Sequence, residues 1–201
     1  VASLLAKVKD TNETFSKPDN KDVEGWTLAL HACKYGNLEI VEMLLKNDSD
    51  LTITDSDGKS ALYWGACNDD ECEATDIVNR LIEESVDINK PANDGRTALV
   101  GAVINGNLRA VEALLMVGAD PNILMSDGRT SLHITAQQGD IELLKAMLKA
   151  GADPNIQENS NRNTPLHIAV GRRLESNKDK NDPVEAISEL EKVKALLEGG
   201  A

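Results

Sequence analysis

Aromatic residues are scarce in this sequence. Its 201 residues include two Trp, two Tyr and one Phe, although 41% of the residues are hydrophobic. A core with so few large rings must be built from Leu, Ala, Ile and Val, which suits short and closely packed helices. The position of each aromatic residue therefore carries information.

Long apolar runs and secretory features are also lacking. No run approaches the roughly 20 apolar residues of a membrane-spanning helix, and no charged-then-apolar N-terminal stretch suggests a signal peptide. The three cysteines are irregularly spaced and predict no disulfide framework, which favours a reducing compartment. We therefore expect a cytoplasmic, or alternatively nuclear, protein without a membrane partner.

Basic residues are outnumbered by acidic ones. The chain has 34 Asp and Glu against 21 Lys and Arg, a net charge of −13. Residues 1–100 hold 20 acidic and 10 basic residues, whereas residues 101–201 hold 14 and 11. Nucleic-acid binding depends on cations that neutralise phosphates, so the composition argues against it. The acidic half indicates either a basic protein partner or simple solubility.

Catalytic and metal-binding motifs are missing. The sequence contains no phosphate loop, no HExxH motif and no nucleophile elbow. His31, Cys33, Cys67 and Cys72 have a spacing that matches no zinc module. We therefore predict a non-enzymatic chain with no catalytic residue, no metal and no cofactor.

Internal repetition is the strongest feature that is present. The word DGRTAL at 94–99 returns as DGRTSL at 127–132, and related words begin at 24, 57 and 161. The closing words VGADPN at 117–122 and AGADPN at 150–155 are also spaced by 33 residues. A repeat of this length with these words resembles the ankyrin repeat over about residues 24–201.

The resemblance implies an all-α fold, an ankyrin-repeat solenoid of stacked helix-turn-helix units joined by β-hairpin loops. We expect a single domain over 1–201 that is a fragment of a longer protein. Residues 1–23 would end a preceding repeat and form a connector. The five predicted repeats span 24–56, 57–93, 94–126, 127–160 and 161–201.

The pattern also predicts the helices and their ends. Thr or Ser at 27, 60, 97, 130 and 164 can cap the first helix of each repeat through its hydroxyl, and Gly36 and Gly106 can end it in the left-handed conformation. Extra residues around 68–73 and 172–181 are expected between helices, the latter as a mobile charged loop. The expected helix pairs are 28–35 with 38–46, 61–68 with 74–84, 98–105 with 108–117, 131–138 with 141–150, and 165–171 with 183–198.

The repeat frame assigns side chains to surfaces. The resemblance implies structural roles for His133 and His167, which bond hairpin backbone, and leaves the role of His31 open. It places Trp64 in the core, and Trp26 and Tyr35 outward on one surface, although Trp26 could instead pack over the neighbouring hairpin. Lys59, Arg96 and Arg129 form a basic row that either binds a partner or pairs with adjacent Asp residues. The predicted protein-binding residues are Trp26, Tyr35, Glu24, Lys34, Asp57, Lys59, Asn68, Asp94, Arg96, Ile104, Asn105 and Arg129.

The resemblance implies a monomeric protein-protein interaction module that binds on its concave hairpin and first-helix face. The partner is expected to carry a basic segment. One alternative is a regulatory or targeting segment of a larger enzyme, channel or secreted effector. A second is binding of a nucleotide-like ligand, with Trp26 stacked on a base and Lys59 near a phosphate.

Overall fold

The computed structural model describes residues 26–138, 140–176 and 183–200, and this part of the chain contains ten helices and no extended strand. The fold is therefore all-α, as predicted. The chain divides into two compact units, one ending at Gly118 and the other beginning at Ala119. The helices are α1 (Leu28–Lys34), α2 (Leu38–Leu45), α3 (Ala61–Ala66), α4 (Glu71–Glu83), α5 (Ala98–Ile104), α6 (Leu108–Met116), α7 (Ser131–Gln138), α8 (Ile141–Lys149), α9 (Pro165–Ser176) and α10 (Pro183–Glu198).

Each unit is built from antiparallel helix pairs that stack side by side. In the first unit the first helices α1, α3 and α5 pack in one layer, and the second helices α2, α4 and α6 pack in another. In the second unit α7 packs on α9, and α8 packs on α10. No single pair could bury both of its apolar faces, so stacking supplies the core. The division into five repeats stays a prediction.

Apolar residues at helical spacing explain which faces are buried. Ile77, Val78 and Leu81 of α4 are fully buried, as are Leu143 and Leu144 of α8. Burying a side chain of this size is worth roughly 1.5–3 kcal/mol. The first helices contribute to the core as well, through residues such as Leu62 of α3 and Leu99 of α5, so both layers of helices build it.

Helix capping follows two patterns. The hydroxyls of Thr27 and Ser60 accept bonds from backbone N–H groups three residues later, as predicted. Thr97 makes no such side-chain bond. The expectation is also wrong for Thr130 and Thr164, whose backbone N–H groups and hydroxyls instead meet Nδ1 of a histidine three residues on. The histidine can take over the cap because its ring reaches back over the first turn.

The two inserted segments are partly helical: residues 68–70 form the turn between α3 and α4, as predicted, whereas the neighbouring residues extend helices. In the second repeat the helix begins at Glu71 rather than 74, because the Asp70 carboxylate accepts bonds from two backbone N–H groups of the first turn. In the fifth repeat α9 continues to Ser176, so the expected loop is wrong for that part. Residues 177–181 lie outside the described residues. Gly36 and Gly106 adopt φ of 76° and 72°, as predicted.

Neighbouring loops are joined by asparagine side chains. Nδ2 of Asn89 donates to the Gly118 carbonyl at 3.2 Å. In the second unit, Asn122 donates to the carbonyl of Gly151 and Asn155 to that of Gly200, both at 3.0 Å. We call these contacts the asparagine bridges. Each one ties the loop after a second helix to the equivalent loop of the next repeat.

Candidate protein-binding surface

Four of the five aromatic residues of the chain form one continuous series of ring contacts in the first unit. The Trp26 ring lies 4.6 Å from the Trp64 ring and 4.8 Å from His31, measured between centroids. His31 stacks with Tyr35 at 6.2 Å, and Trp64 meets Tyr63 at 5.5 Å. We call these five residues the aromatic cluster. Such ring pairs contribute about 0.5–1.5 kcal/mol beyond the area that they bury.

Two lysines lie over one ring of the aromatic cluster. Nζ of Lys34 is 5.2 Å from the Trp64 centroid, and Nζ of Lys59 is 5.0 Å from it. Cations at this distance are attracted to the negative face of an indole. Lys34 also donates to the Cys67 carbonyl at 3.4 Å, and Lys59 pairs with Asp57 at 3.0 Å. Both ammonium groups are therefore satisfied within the first unit.

Trp64 does not belong to the core, contrary to the prediction. Its side chain is half-buried, and its indole N–H donates to Oδ2 of Asp55 at 2.9 Å. Asp55 is itself buried and also accepts backbone bonds within its hairpin. The indole N–H needs a hydrogen-bond acceptor. The Asp55 carboxylate of the hairpin supplies that acceptor, and this bond holds the ring at the surface of the first helices.

Trp26 is buried, so the prediction that it points outward is wrong. Only 4% of its surface is exposed. The physical reason is that two rings pack against it, His31 of the same repeat and Trp64 of the next repeat. The alternative that Trp26 packs over its neighbours is the one that the structure bears out.

Tyr35 has the exposure that was predicted for it. Its side chain is 70% exposed at the end of α1. The Glu73 side chain lies against the neighbouring Gly36, and the turn that precedes α4 adds the exposed residues Asp69 and Asp70. Tyr35 is therefore the exposed end of the aromatic cluster, on the side of an acidic turn.

Asn68 is a structural residue and not the surface residue that was predicted. It is 5% exposed, and its Nδ2 donates to the Lys34 carbonyl at 3.3 Å. Its carbonyl accepts a bond from Asn107 at 2.8 Å. Asn68 thus links consecutive repeats, which explains its burial. Ile104 and Asn105, at the equivalent end of α5, are exposed.

The predicted charges of the hairpins pair with one another. Arg96 lies 3.3 Å from Asp94, and in the second unit Arg129 lies 2.7 Å from Asp127. Together with the pair of Lys59 and Asp57, these contacts favour the interpretation of the basic row as internal pairs. Glu24 lies outside the described residues.

The histidines of the second unit hold the fold together. His133 is fully buried, and its Nδ1 accepts a bond from the Thr130 N–H while Nε2 donates to the Asn163 carbonyl at 3.2 Å. Burial lowers the pKa of His133. The prediction of a structural role is confirmed for His133. His167 repeats the Nδ1 contact with Thr164 at 3.3 Å.

Nothing in the described part of the chain suggests catalysis or a metal centre. Burial raises the pKa of Cys33 to about 12 and that of Cys67 to about 11, so neither thiol is a nucleophile near neutral pH. Within 26–138, 140–176 and 183–200, no group of three or more His, Cys, Asp or Glu residues could hold a metal ion. None of the helices described is long and apolar enough to cross a bilayer.

The sequence interpretation missed Tyr63, Trp64, His31 and Asp55 as parts of one surface. A signal was available, because Trp64 and His31 each follow a capping residue by four positions and so occupy the same place in consecutive repeats. Equivalent positions of neighbouring repeats lie side by side in a stack. Two aromatic residues at that position therefore predict a local cluster of rings, and in the structure the Trp26 ring contacts both of them.

Comparison with known proteins agrees with this architecture. The family model described as ankyrin repeats (3 copies) matches residues 1–91, 71–125 and 101–178. The chain therefore belongs to the ankyrin-repeat family. Ankyrin repeats are generally protein-interaction modules, whose stacked units present extended binding surfaces.

Curated relatives share part of the chain. BCL-6 corepressor-like protein 1 of Homo sapiens is 37% identical over 100 residues, which is 49% of this chain and 5% of that protein. Inversin of Homo sapiens is 34% identical over 117 residues, 56% of this chain and 10% of that protein. Palmitoyltransferase AKR1 of Lachancea kluyveri is 30% identical over 118 residues, 57% of this chain and 16% of that protein. The chain thus matches only a small fraction of the length of each.

Proposed function

We propose that this chain binds a partner protein on the first-helix face of its first unit, without catalysis of its own. The observation that carries the proposal is the aromatic cluster, which gathers four of five aromatic residues and leaves one of them, Tyr35, exposed. Tyr and Trp are the residue types most enriched at the energetic centres of interfaces. The proposed contact surface consists of Tyr35, Trp64, Ile104 and Asn105.

The geometry around Tyr35 supports a role as an anchor. Its ring stacks on His31, which is held by the Thr27 carbonyl at 3.1 Å and by the buried ring of Trp26. A side chain that is positioned before binding loses less rotamer entropy when a partner covers it. Trp26 therefore contributes as a support beneath the surface rather than as a contact.

Charge supports a partner with a basic segment. Residues 26–118 include sixteen acidic and seven basic side chains. Lys34 and Lys59 are engaged with Trp64, Cys67 and Asp57, whereas Asp69 and Asp70 are exposed beside Tyr35. An excess of one sign mainly accelerates association with a partner of the other sign.

The comparisons support a role within a larger protein. The chain corresponds to 5%, 10% and 16% of the relatives described above, one of which is named as a palmitoyltransferase. We propose that the five repeats act as a regulatory or targeting segment of such a protein. The nucleotide alternative loses its main argument, because a Trp26 that is 4% exposed cannot stack on a base.

The experiment begins with photo-crosslinking from a probe placed at Tyr35 and identification of the captured protein by mass spectrometry. Affinity is then measured for the parent, Tyr35→Ala and Met116→Ala. Met116 is a matched control because its large side chain is 84% exposed in the same unit, at the end of α6. Loss of a true anchor costs about 2 kcal/mol, or roughly 30-fold in affinity, whereas the control should bind as the parent does.

Two results would refute the proposal. One is equal affinity of the parent and Tyr35→Ala for the captured partner. The other is an association rate that does not change between about 50 and 500 mM salt, because electrostatic steering is screened over that range. Circular dichroism of each variant checks that the fold is intact.

A further inference from the structure

The pair of helices α9 and α10 exposes several apolar side chains. Leu190 and Leu197 of α10 are each more than half exposed, Val170 of α9 is exposed, and Leu166 of α9 is half-buried. We call these four residues the outer face. Leu190, Val193 and Leu197 also line a depression of about 430 Å³ along α10. Large apolar side chains that gather in one patch mark an interaction surface, whereas scattered ones do not.

The equivalent residues of the preceding helix pair are covered. In the repeat words, Leu132 and Ala136 of α7 correspond to Leu166 and Val170 of α9. Both α7 residues are fully buried, and α9 packs on α7. The same positions are therefore buried where another helix pair lies alongside and open on α9.

Leu148 of α8 gives the same comparison for the second helices. The asparagine bridges end at the carbonyls of Gly151 and Gly200, which are therefore equivalent residues. Leu148 and Leu197 each precede that glycine by three positions. The Leu148 side chain reaches the end of α10, because a Cβ added at Gly199 would lie 2.9 Å from its Cδ2. Leu197 has the same place in its helix, yet more than half of its surface faces solvent.

His167 presents an N–H group at the same boundary. In the preceding repeat, Nε2 of His133 donates to the carbonyl of Asn163 at 3.2 Å, in the hairpin just before α9. Nδ1 of His167 accepts a bond from the Thr164 N–H, so the proton of its neutral ring is on Nε2. The side chain is exposed, and its Nε2 has no hydrogen-bond partner in the part of the chain that the structure describes. An occupant of the outer face should therefore bring a backbone carbonyl to this ring.

The composition of the outer face is that of an internal contact. A repeat that closes a solenoid turns a polar outer face to the solvent. The outer face instead has apolar side chains, and the neighbouring His167 has a donor without a partner. Both features have counterparts inside the second unit, where α7 and α8 meet α9 and α10. The contact between these two pairs indicates what kind of layer fits the outer face.

We infer that the outer face docks a further ankyrin repeat, a hairpin followed by a helix pair. The apolar side of that helix pair covers Leu190, Leu197 and Val170, and a carbonyl of its hairpin accepts the bond from Nε2 of His167. A single amphipathic helix would supply the apolar side but not the carbonyl. The outer face belongs to the second unit, and the inference does not rest on binding at Tyr35 in the first.

The test extends the full chain by one repeat. A second copy of residues 120–152, which hold a hairpin, α7 and α8, is joined after Ala201, because Ala201 corresponds to Ala119 in the repeat words. Amide hydrogen exchange of residues 190–198 should be at least about tenfold slower in the extended chain, since burial of one leucine supplies that factor. The Nε2–H signal of His167 should become as slow to exchange as that of His133.

The variant Leu190→Glu/Leu197→Glu directs the test to the outer face itself. In the parent both side chains are exposed, so the double variant should leave exchange of α10 unchanged within about twofold. In the extended chain it should abolish the slowing, because docking would bury two carboxylates. Leu124→Glu is the matched control, since its side chain is similarly exposed in the second unit but lies outside α9 and α10. This control should keep the slowing.

A second extension, with a copy of residues 87–119 instead, covers the case of an added segment that fails to fold for reasons of its own. Far-UV circular dichroism reports whether the added helices form. Unchanged exchange in both extended chains, or a slowing that persists in the double Glu variant, would overturn the inference. So would a parent chain that forms dimers in sedimentation equilibrium and loses them in the double Glu variant, because the outer face would then belong to a second copy.

Discussion

Gly101 is the position where one added methyl group should disturb the first unit most directly. A Cβ at this residue of α5 would lie 2.7 Å from Sγ of Cys67, 3.4 Å from the carbonyl oxygen of Tyr63 and 3.5 Å from its ring. A carbon within 3.0 Å of a buried sulfur forces one of the two to move. The residue thus lets the aromatic cluster pack closely on the third repeat.

The expected change in the free energy of unfolding of Gly101→Ala is the difference between a cost and a gain. Overpacking of a closed site costs about 1–3 kcal/mol, whereas Ala is favoured over Gly inside a helix by roughly 0.5–1 kcal/mol. We therefore expect Gly101→Ala to lower the free energy of unfolding by about 0.5–2 kcal/mol. Gly171→Ala in α9 is the matched control, because no described atom lies within 4 Å of its added Cβ, and it should gain roughly 0.5–1 kcal/mol.

The assay is equilibrium unfolding in urea. Tryptophan fluorescence reports the first unit, which holds both Trp residues, and circular dichroism reports all helices. A Cys67→Ala background removes the clashing sulfur, so the cost of Gly101→Ala should largely vanish there. A Gly101→Ala chain that is as stable as the parent, or a cost that persists without the sulfur, would refute the reasoning.

Three further outcomes follow from the structure. Replacing His133 with Ala removes two hydrogen bonds at a buried site and should lower the free energy of unfolding in urea by about 2–4 kcal/mol. Burial lowers the pKa of His133 in the folded state, so the parent should lose stability as pH falls below about 6.5. The Ala variant should lack that loss. A thiol reagent at pH 8 should titrate Cys72 quickly and leave the buried Cys33 and Cys67 unreacted, so fast reaction of all three would contradict the burial. Ser85→Gly relieves a φ of 57° and should stabilise the chain by about 0.5–1 kcal/mol, measured as a higher urea midpoint.

The helices could be predicted from the sequence to within a few residues, because capping residues and apolar spacing act locally. The ends of α1, α2 and α6 agree with the prediction to within one residue. The inserted residues of the second repeat could not be placed in the same way. Residues 71–73 are helical because the Asp70 carboxylate accepts bonds from two N–H groups of the first turn. The spacing of the repeat words was equally compatible with a loop at these residues.

The exposure of the candidate surface residues could be predicted from the sequence only in part. The repeat frame was right that Tyr35 is exposed, and the structure places Lys34 and Lys59 over the Trp64 ring. It failed for Trp26 and Trp64 because the frame describes one repeat, whereas burial is decided by the residue that the next repeat brings alongside. The two indole rings contact each other. As a result Trp26 is buried and Trp64 stays partly exposed, the reverse of the predicted environments.

The junction between the first two repeats is fastened differently from the next one. At the first junction the loops after the second helices are joined by Lys90, whose Nζ donates to the Thr52 carbonyl at 2.8 Å. At the next junction the equivalent loops are joined by the shorter Asn89, which donates to the Gly118 carbonyl at 3.2 Å. In mechanical terms a lysine on its flexible four-carbon stem is a more compliant tether than an asparagine amide, so bending of the first unit under load should be concentrated at the first junction.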